Sequence, residues 1–400
     1  MIDARPDPAR KAGPRLAPPR TAAMVDLPLR LAFLGDPNSR HTRRWIGSFL
    51  DRGHEVHLMV PAHDTVNVEL DPRILVHRFT AWPKIPIRGV GSVATALSLR
   101  RSLAEVRPDV LHAHSLNRYG VAARLSGFHP YVVTVWGSDV LIVLKTSRLR
   151  RIQGGLALHG ADLVTGGSDH LIRAAIAAGA RRDRTRFVHF GVDTLRFAPG
   201  PYPAFLAARL GVDGRRVLLS NRTIAPLYRH GVVLEAVTRL PSDVVVIMTR
   251  HAARPAELAA IERHARDLGL ADRVRIVDEI SDEEMPDLYR LADVVVSVPA
   301  SDGGPTTIVE ALAVGRPVVA TDLPSVREWL GELDAEAMVP VDDVPATAEA
   351  ILRVLTRDPD AWADHARQGR AAVAERADQL RSMGAMEAFY RELAAGRPRG

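Results

Sequence analysis

The sequence predicts an α/β protein made of two doubly wound, Rossmann-like domains in tandem, facing each other across a central cleft. Three observations carry this expectation. Short, continuously apolar runs alternate with amphipathic segments, the pattern of parallel strands covered on both faces by helices. The alternation restarts after residues 194–204 (TLRFAPGPYPA), whose three prolines and one glycine read as a linker. The 400 residues exceed one ordinary domain, and the halves differ in charge: residues 29–200 hold 24 basic and 13 acidic side chains, residues 201–400 hold 24 basic and 31 acidic.

Residues 1–28, rich in Pro, Arg and Ala without an apolar period, read as a disordered tail, and Met24 is a second candidate start. In the first domain (29–196) strands are expected at 29–34, 55–60, 74–79, 110–114, 131–136, 162–165 and 186–190. Helical patterns at 40–52, 92–106, 118–127, 147–159 and 168–178 separate most of them. In the second domain (197–378) the strands fall at 216–220, 243–249, 273–278, 293–298, 317–320 and 337–340. Helices fit 228–239, 254–268, 282–291, 306–314, 325–331 and 344–356. Beyond 359 the chain reads as helical to about 395, with Met383, Met386, Phe389, Tyr390 and Leu393 on one face.

Composition narrows the function. With no cysteine there are no disulfides, thiolate metal sites, iron–sulfur clusters or cysteine nucleophiles. No apolar run reaches the roughly 18 residues of a membrane span, and the N-terminus lacks a secretory h-region, so a cytoplasmic protein is expected. Aromatics at 5% argue against a nucleic-acid surface of interleaved basic and aromatic residues. Gly89-Val90-Gly91-Ser92-Val93-Ala94 matches a dinucleotide fingerprint but follows a loop-like stretch rather than a strand, so it is read as glycines before a helix.

The most informative segment is SVPASDGGPTTIVEALAVG (297–315). A buried strand ends near Val298, and Gly303 and Gly304 let backbone approach a ligand. Pro305, Thr306 and Thr307 then open a helix whose first N–H groups suit a diphosphate. Glu310 lies one turn inside, on a face that reaches an attached ribose or sugar. GDPNSRHTRRW (35–45) also follows a strand: Gly35 permits close approach, Asn38 offers a donor, and His41 opens the helix. His112 and His114 share one strand face. They read as core histidines or as a metal pair lacking a third ligand, and His114 is nearer the cleft. Trp136 reads as core packing or as a stacking face, and Asp139 as a helix cap or a hydrogen-bond acceptor. Arg222 follows a strand, where a guanidinium fork suits phosphate oxygens.

The 297–315 segment resembles the Glu-x7-Glu motif of the retaining GT-B glycosyltransferases of family 4, with Asp302 at the first position. RPDVLHAH (107–114), VTVWGSD (133–139), ADLVTGGSDHL (161–171), FGVDTLRF (190–197), NRTIAPLYR (221–229), LADVVVSV (291–298) and GRPVVATD (315–322) fit the same family in order, covering about residues 29–395. The resemblance implies the GT-B fold and transfer of a sugar from a nucleotide-diphosphate sugar to an acceptor hydroxyl, with no cofactor and no metal. It implies front-face attack, with the leaving phosphate taking the acceptor's proton. It sets the 35–45 loop over donor and acceptor, Arg222 on the diphosphate, Asp302 on sugar hydroxyls and Glu310 on the ribose. Trp136 stands where many members carry a histidine on the donor sugar. Leu227 stands where a lysine is usual, leaving Arg229 as its substitute. The expected catalytic set is therefore His114, Asp139, Arg222 and Asp302. The resemblance also implies that the last helix (379–396) packs back toward the first domain.

The expected partners are a nucleotide-sugar donor and a sugar, lipid-linked or small-molecule acceptor, in polysaccharide or glycolipid assembly, with no nucleic acid. Helix 147–159 carries Leu149, Ile152, Leu156 and Leu158 beside Lys145, Arg148, Arg150 and Arg151, so peripheral contact with the anionic inner face of a cell membrane is a further expectation. The alternatives are a nucleotide-sugar epimerase of the same fold, or a degenerate sugar-nucleotide-binding protein.

Overall fold

The computed structural model describes residues 27–80, 90–250, 253–277 and 280–396. Residues 1–26 of the expected tail, with Met24, lie outside that description, as does Gly89.

The first sheet has seven parallel strands: β1 (Arg30–Leu34), β2 (Glu55–Pro61), β3 (Leu75–Phe79), β4 (Val110–His114), β5 (Tyr131–Val135), β6 (Leu163–Gly166) and β7 (Thr185–Phe187), in the order β3-β2-β1-β4-β5-β6-β7. Its helices are α1 (Arg40–Leu50), α2 (Val90–Val106), α3 (Val121–Ser126), the single turn α4 (Ser138–Leu141), α5 (Arg148–Gly160) and α6 (Asp169–Ala177). Every residue of β4 and β5 is buried, as expected of strands covered on both faces. Ala32 and Leu34 point to one core, with residues of α2, α3, α5 and α6. Leu31 and Phe33 point to the other, with Trp45, Ile46 and Phe49 of α1.

The second sheet has six parallel strands: β8 (Arg216–Ser220), β9 (Val244–Thr249), β10 (Val274–Val277), β11 (Val294–Ser297), β12 (Val318–Thr321) and β13 (Met338–Val339), in the order β10-β9-β8-β11-β12-β13. Around it lie α7 (Ala204–Leu210), α8 (His230–Val237), α9 (Pro255–Asp267), α10 (Met285–Leu291), α11 (Thr306–Val314), α12 (Pro324–Leu330) and α13 (Val344–Leu355). In each sheet the strand order reverses once, between β1 and β4 and between β8 and β11. Crevices open at the carboxyl ends of such strands.

The chain from 359 onward is two helices, α14 (Pro359–Arg376) and α15 (Gln379–Ala395), the second starting where the last helix was expected. The break between them has a local cause. Asp378 takes extended backbone and caps α15, accepting from the Arg381 N–H. At the break the chain recrosses the domain boundary beside the outgoing connection: Val192 donates to Ala377 O at 2.8 Å, and Gln379 donates to Val192 O at 3.0 Å. Gly191 (φ 82°) is required there, because a Cβ would lie 2.6 Å from Gln379 Cα. α15 then fills the first domain's second core with Met383, Met386 and Tyr390. A local correction is needed at 118–127. Ser115 (φ 90°) leads into a wide turn at Leu116–Gly120, and only then does α3 begin.

Candidate active site

Both reversal points contribute to one cleft. On the second domain, Arg222 follows β8 and Asp302 follows β11. Burial brings them together: Arg222 Nη1 lies 3.1 Å from Asp302 Oδ2, with side chains only 14% and 6% exposed. The guanidinium lies 4.3 Å from the centre of the Tyr228 ring. Asp302 Oδ1 accepts from the Gly304 N–H at 3.1 Å, which holds the glycine turn beside the arginine. Thr307 Oγ1 donates to Asn221 O at 3.2 Å, tying the first turn of α11 to the end of β8. The positive end of α11 and the Arg222 guanidinium therefore share one small region, a place suited to an anion. One turn on, Glu310 is buried, and Tyr289 Oη donates to its Oε2 at 2.8 Å.

On the first domain, Gly35 ends β1 against Thr42 and His114, with a Cβ there only 3.1 Å from Thr42 Cγ2 and 3.3 Å from His114 Cβ. His114 ends β4. Its Nδ1 lies 3.4 Å from Thr42 Oγ1, and its Nε2 is buried without a partner. The Trp136 indole N–H is buried and unpartnered too, with its ring 5.8 Å from that of His114. His41 packs edge-on to Trp136 at 5.8 Å and against Phe190 at 5.4 Å. Burial, then the charges of Arg44 and Arg222, push the His41 imidazole down to about 3. Burial, then His41, does the same to His114. Both rings are therefore neutral at pH 7 rather than cationic.

The two sides touch. Arg44 Nη1 reaches Glu310 Oε1 at 3.2 Å, and Arg40 Nε reaches Asp282 Oδ1 at 2.6 Å. Ser168 Oγ, which caps α6, donates to Gly303 O at 2.6 Å. Glu328 accepts from the N–H groups of Asp169 and His170 at 2.9 and 2.8 Å. Closest of all are two glycines: a Cβ on Gly303 would lie 2.4 Å from Gly137 Cα.

Comparison with known proteins matches this two-part architecture. Residues 30–168 match the "Glycosyl transferase 4-like" family model and residues 214–357 match "Glycosyl transferases group 1". The D-inositol 3-phosphate glycosyltransferase of Mycolicibacterium smegmatis is 33% identical over 346 residues, 79% of each chain. This chain is a group 1, family 4 glycosyltransferase. The phosphatidyl-myo-inositol mannosyltransferase of the same organism is 29% identical over 335 residues, 77% of this chain and 78% of its own. Among solved structures, Anabaena HepE in complex with UDP and glucose superposes with a TM-score of 0.77 at 21% identity, covering 91% of this chain and all of its own. Sucrose-phosphate synthase from Thermosynechococcus elongatus gives 0.77 at 20% identity, over 92% and 99%. The fold of the glycosyltransferase is thus GT-B.

Three residues expected in the site do other work in this glycosyltransferase. Asp139 is 2% exposed, and its carboxylate accepts from the backbone N–H groups of Leu116, Trp136, Gly137 and Val140. It braces the turn carrying Trp136 and has no face left for a sugar hydroxyl. The Asn38 amide clamps the β2–β3 loop, donating to Thr65 O and accepting from the Asn67 N–H, both at 2.8 Å. Arg229 is engaged elsewhere than the Arg222–Asp302 pair, pairing with Asp342 at 2.7 Å and donating to Pro226 O at 2.6 Å. Leu227, at the usual lysine position, contributes its backbone carbonyl to the Ala300 N–H. The structure adds Arg44, Tyr289, Asn221, Ser168 and Glu328, whose roles depend on partners far away in sequence. His112 is a core histidine, its ring nitrogens 2.5 Å from Tyr390 Oη and 2.6 Å from Thr134 Oγ1. Among the described residues no group of three or more His, Cys, Asp or Glu is arranged to hold a metal.

Proposed function

We propose that this glycosyltransferase moves a sugar from a nucleoside-diphosphate sugar to an acceptor hydroxyl with retention of anomeric configuration, in polysaccharide or glycolipid assembly. The observation that carries the reading is the buried Arg222–Asp302 pair at the positive end of α11. A guanidinium held in place before the ligand arrives neutralises a diphosphate without reorganising. The solved HepE complexes with UDP and with UDP-glucose, though they share only the fold, support a nucleotide-sugar donor. The inositol-directed names of the relatives support a polyol, sugar or lipid-linked acceptor.

In this reading the C1–O bond to the diphosphate breaks as the acceptor oxygen bonds to C1 on the same face, and the departing phosphate oxygen takes the acceptor's proton. Arg222 and the N-terminal turn of α11 take up the developing phosphate charge. Asp302 holds Arg222 and sugar hydroxyls, Glu310 accepts from the ribose, and Trp136 covers a face of the sugar. The neutral rings of His41 and His114 hydrogen-bond to donor or acceptor. Charge neutralisation by these groups needs no metal. A screen of UDP-, GDP- and ADP-sugars by thermal stabilisation finds the donor. Nuclear magnetic resonance of the product then reads the anomer: inversion removes retention, and epimerised donor without transfer removes the transferase reading.

A further inference from the structure

One outer layer of the first domain is made by α2, α3 and α5, which pack side by side on the same core. α5 turns Gly154, Ala157 and Leu158 inward. Its opposite side carries Leu149, Ile152 and Leu156, which are 51%, 60% and 58% exposed. At 3.6 residues per turn these three lie within about 60° of one another, on the side facing solvent. An apolar stripe in that position does nothing for the core and marks a contact surface. Arg148, Arg150 and Arg151 are exposed at the start of the same helix, with Lys145 just before it. Among the described residues, the one side-chain hydrogen bond these four make runs from Arg150 to the Thr146 hydroxyl. The neighbouring α3 adds Leu125, 46% exposed, beside exposed Arg124. From residue 110 to 161 the chain holds six basic residues and one acidic, Asp139, which is buried.

We propose that this face docks on an anionic lipid bilayer, with α5 lying in the interface. Leu149, Ile152 and Leu156 enter the acyl boundary, while the arginines meet headgroup phosphates. The charge selects the occupant. A two-fold contact with a second copy would set the same arginines against each other, whereas an anionic membrane supplies an apolar layer and a negative surface together. α5 has 13 residues, and no described helix is long and apolar enough to cross a membrane, so the contact is peripheral. Because α5 follows the carboxyl end of β5, its arginine-bearing end lies on the cleft side. Docking therefore holds the cleft mouth near the headgroups. This inference stands on the surface alone and does not rest on the donor or on retention.

The test is sedimentation of the full chain with vesicles of phosphatidylcholine, plain or containing phosphatidylglycerol, at low and high salt. Pelleting is expected with the anionic vesicles alone, and it falls as salt rises. Each basic residue near such a surface raises partitioning about fivefold. The triple change Arg148→Glu, Arg150→Glu, Arg151→Glu should therefore lower it by roughly 100-fold or more. Leu149→Ser, Ile152→Ser, Leu156→Ser should abolish the binding that persists at high salt. Unchanged melting in solution shows that these surface variants are folded. Equal pelleting with neutral and anionic vesicles overturns the proposal, as does wild-type binding by both variants. A dimer in sedimentation velocity that the serine variant dissolves, with no vesicle binding, assigns the face to a second copy instead.

Discussion

Arg222 and Gly303 carry the account at the level of single residues. Arg222→Gln removes the guanidinium but leaves the fold's other cleft contacts in place. Loss of one donor aimed at developing charge costs on the order of 100- to 1,000-fold in kcat. Steady-state kinetics on a variant with native circular dichroism checks this, and an unchanged kcat removes Arg222 from the chemistry. Gly303→Ala acts differently. Its Cβ would meet Gly137 Cα at 2.4 Å, a backbone neighbour that cannot rotate away. The domains should then fail to close, so kcat falls while the melting temperature holds and small-angle scattering reads a larger radius of gyration. A fully active Gly303→Ala means that turnover does not use this closure. Arg222, Asp302 and Glu310 were legible in the sequence because each sits just beyond a strand end or one turn into a helix. Asp139 was misread for an equally physical reason. One of the four N–H groups it accepts from is on Leu116, 23 residues away, and no local pattern reports that partner.

Among the elements, α15 does the most that its place in the chain does not announce. It follows the second domain yet completes the first, with Met383, Met386 and Tyr390 buried beside Trp45 and Phe49. Burying each such side chain contributes about 1.5–3 kcal/mol, so the three together rival the roughly 5–15 kcal/mol of a typical domain. Removing residues 379–400 should therefore collapse hydrogen-exchange protection in α1 and β4. If protection there survives truncation, the helix is an ornament on the first domain rather than part of its core. Apart from β7, which ends three residues early, the strands were readable to within a residue or two, since runs such as VLHAH and YVVTV are apolar enough to identify themselves. The break before α15 fell at the expected residue 379, but its cause was not readable. The apolar spacing runs on through it, and the single cap signal, Asp378, looks like any solvated aspartate until the chain is seen to cross back.

Across the whole molecule, buried neutral histidines couple folding to pH. His112, His114, His189 and His230 are each 1–2% exposed. Burial lowers all four, His114 and His189 to about 3, His230 to about 4 and His112 well below its usual value. In the unfolded chain they take up protons near 6.5. The unfolded state therefore binds more protons below that pH, and the stability these groups confer is complete above 6.5 and lost as pH falls toward 3. Each contributes a slope of up to about 1.4 kcal/mol per pH unit in that window. The urea midpoint should drop steeply from pH 7 to pH 5, and a flat profile contradicts the neutral burial. The two-sheet architecture was legible from alternation alone. The pairing of Arg44 with Glu310 was not, because the two are 266 residues apart and meet only when both domains are folded and closed. That junction is also where the functional claim is most exposed. Isothermal calorimetry with UDP, GDP and ADP, on the native chain and on Glu310→Gln, tests it directly. One nucleotide should bind the native chain, and the variant should bind it about 10- to 150-fold more weakly, the worth of one charge-assisted hydrogen bond. A native chain that binds none of the three, or a folded Glu310→Gln that binds as tightly as the native, contradicts the nucleotide site at α11.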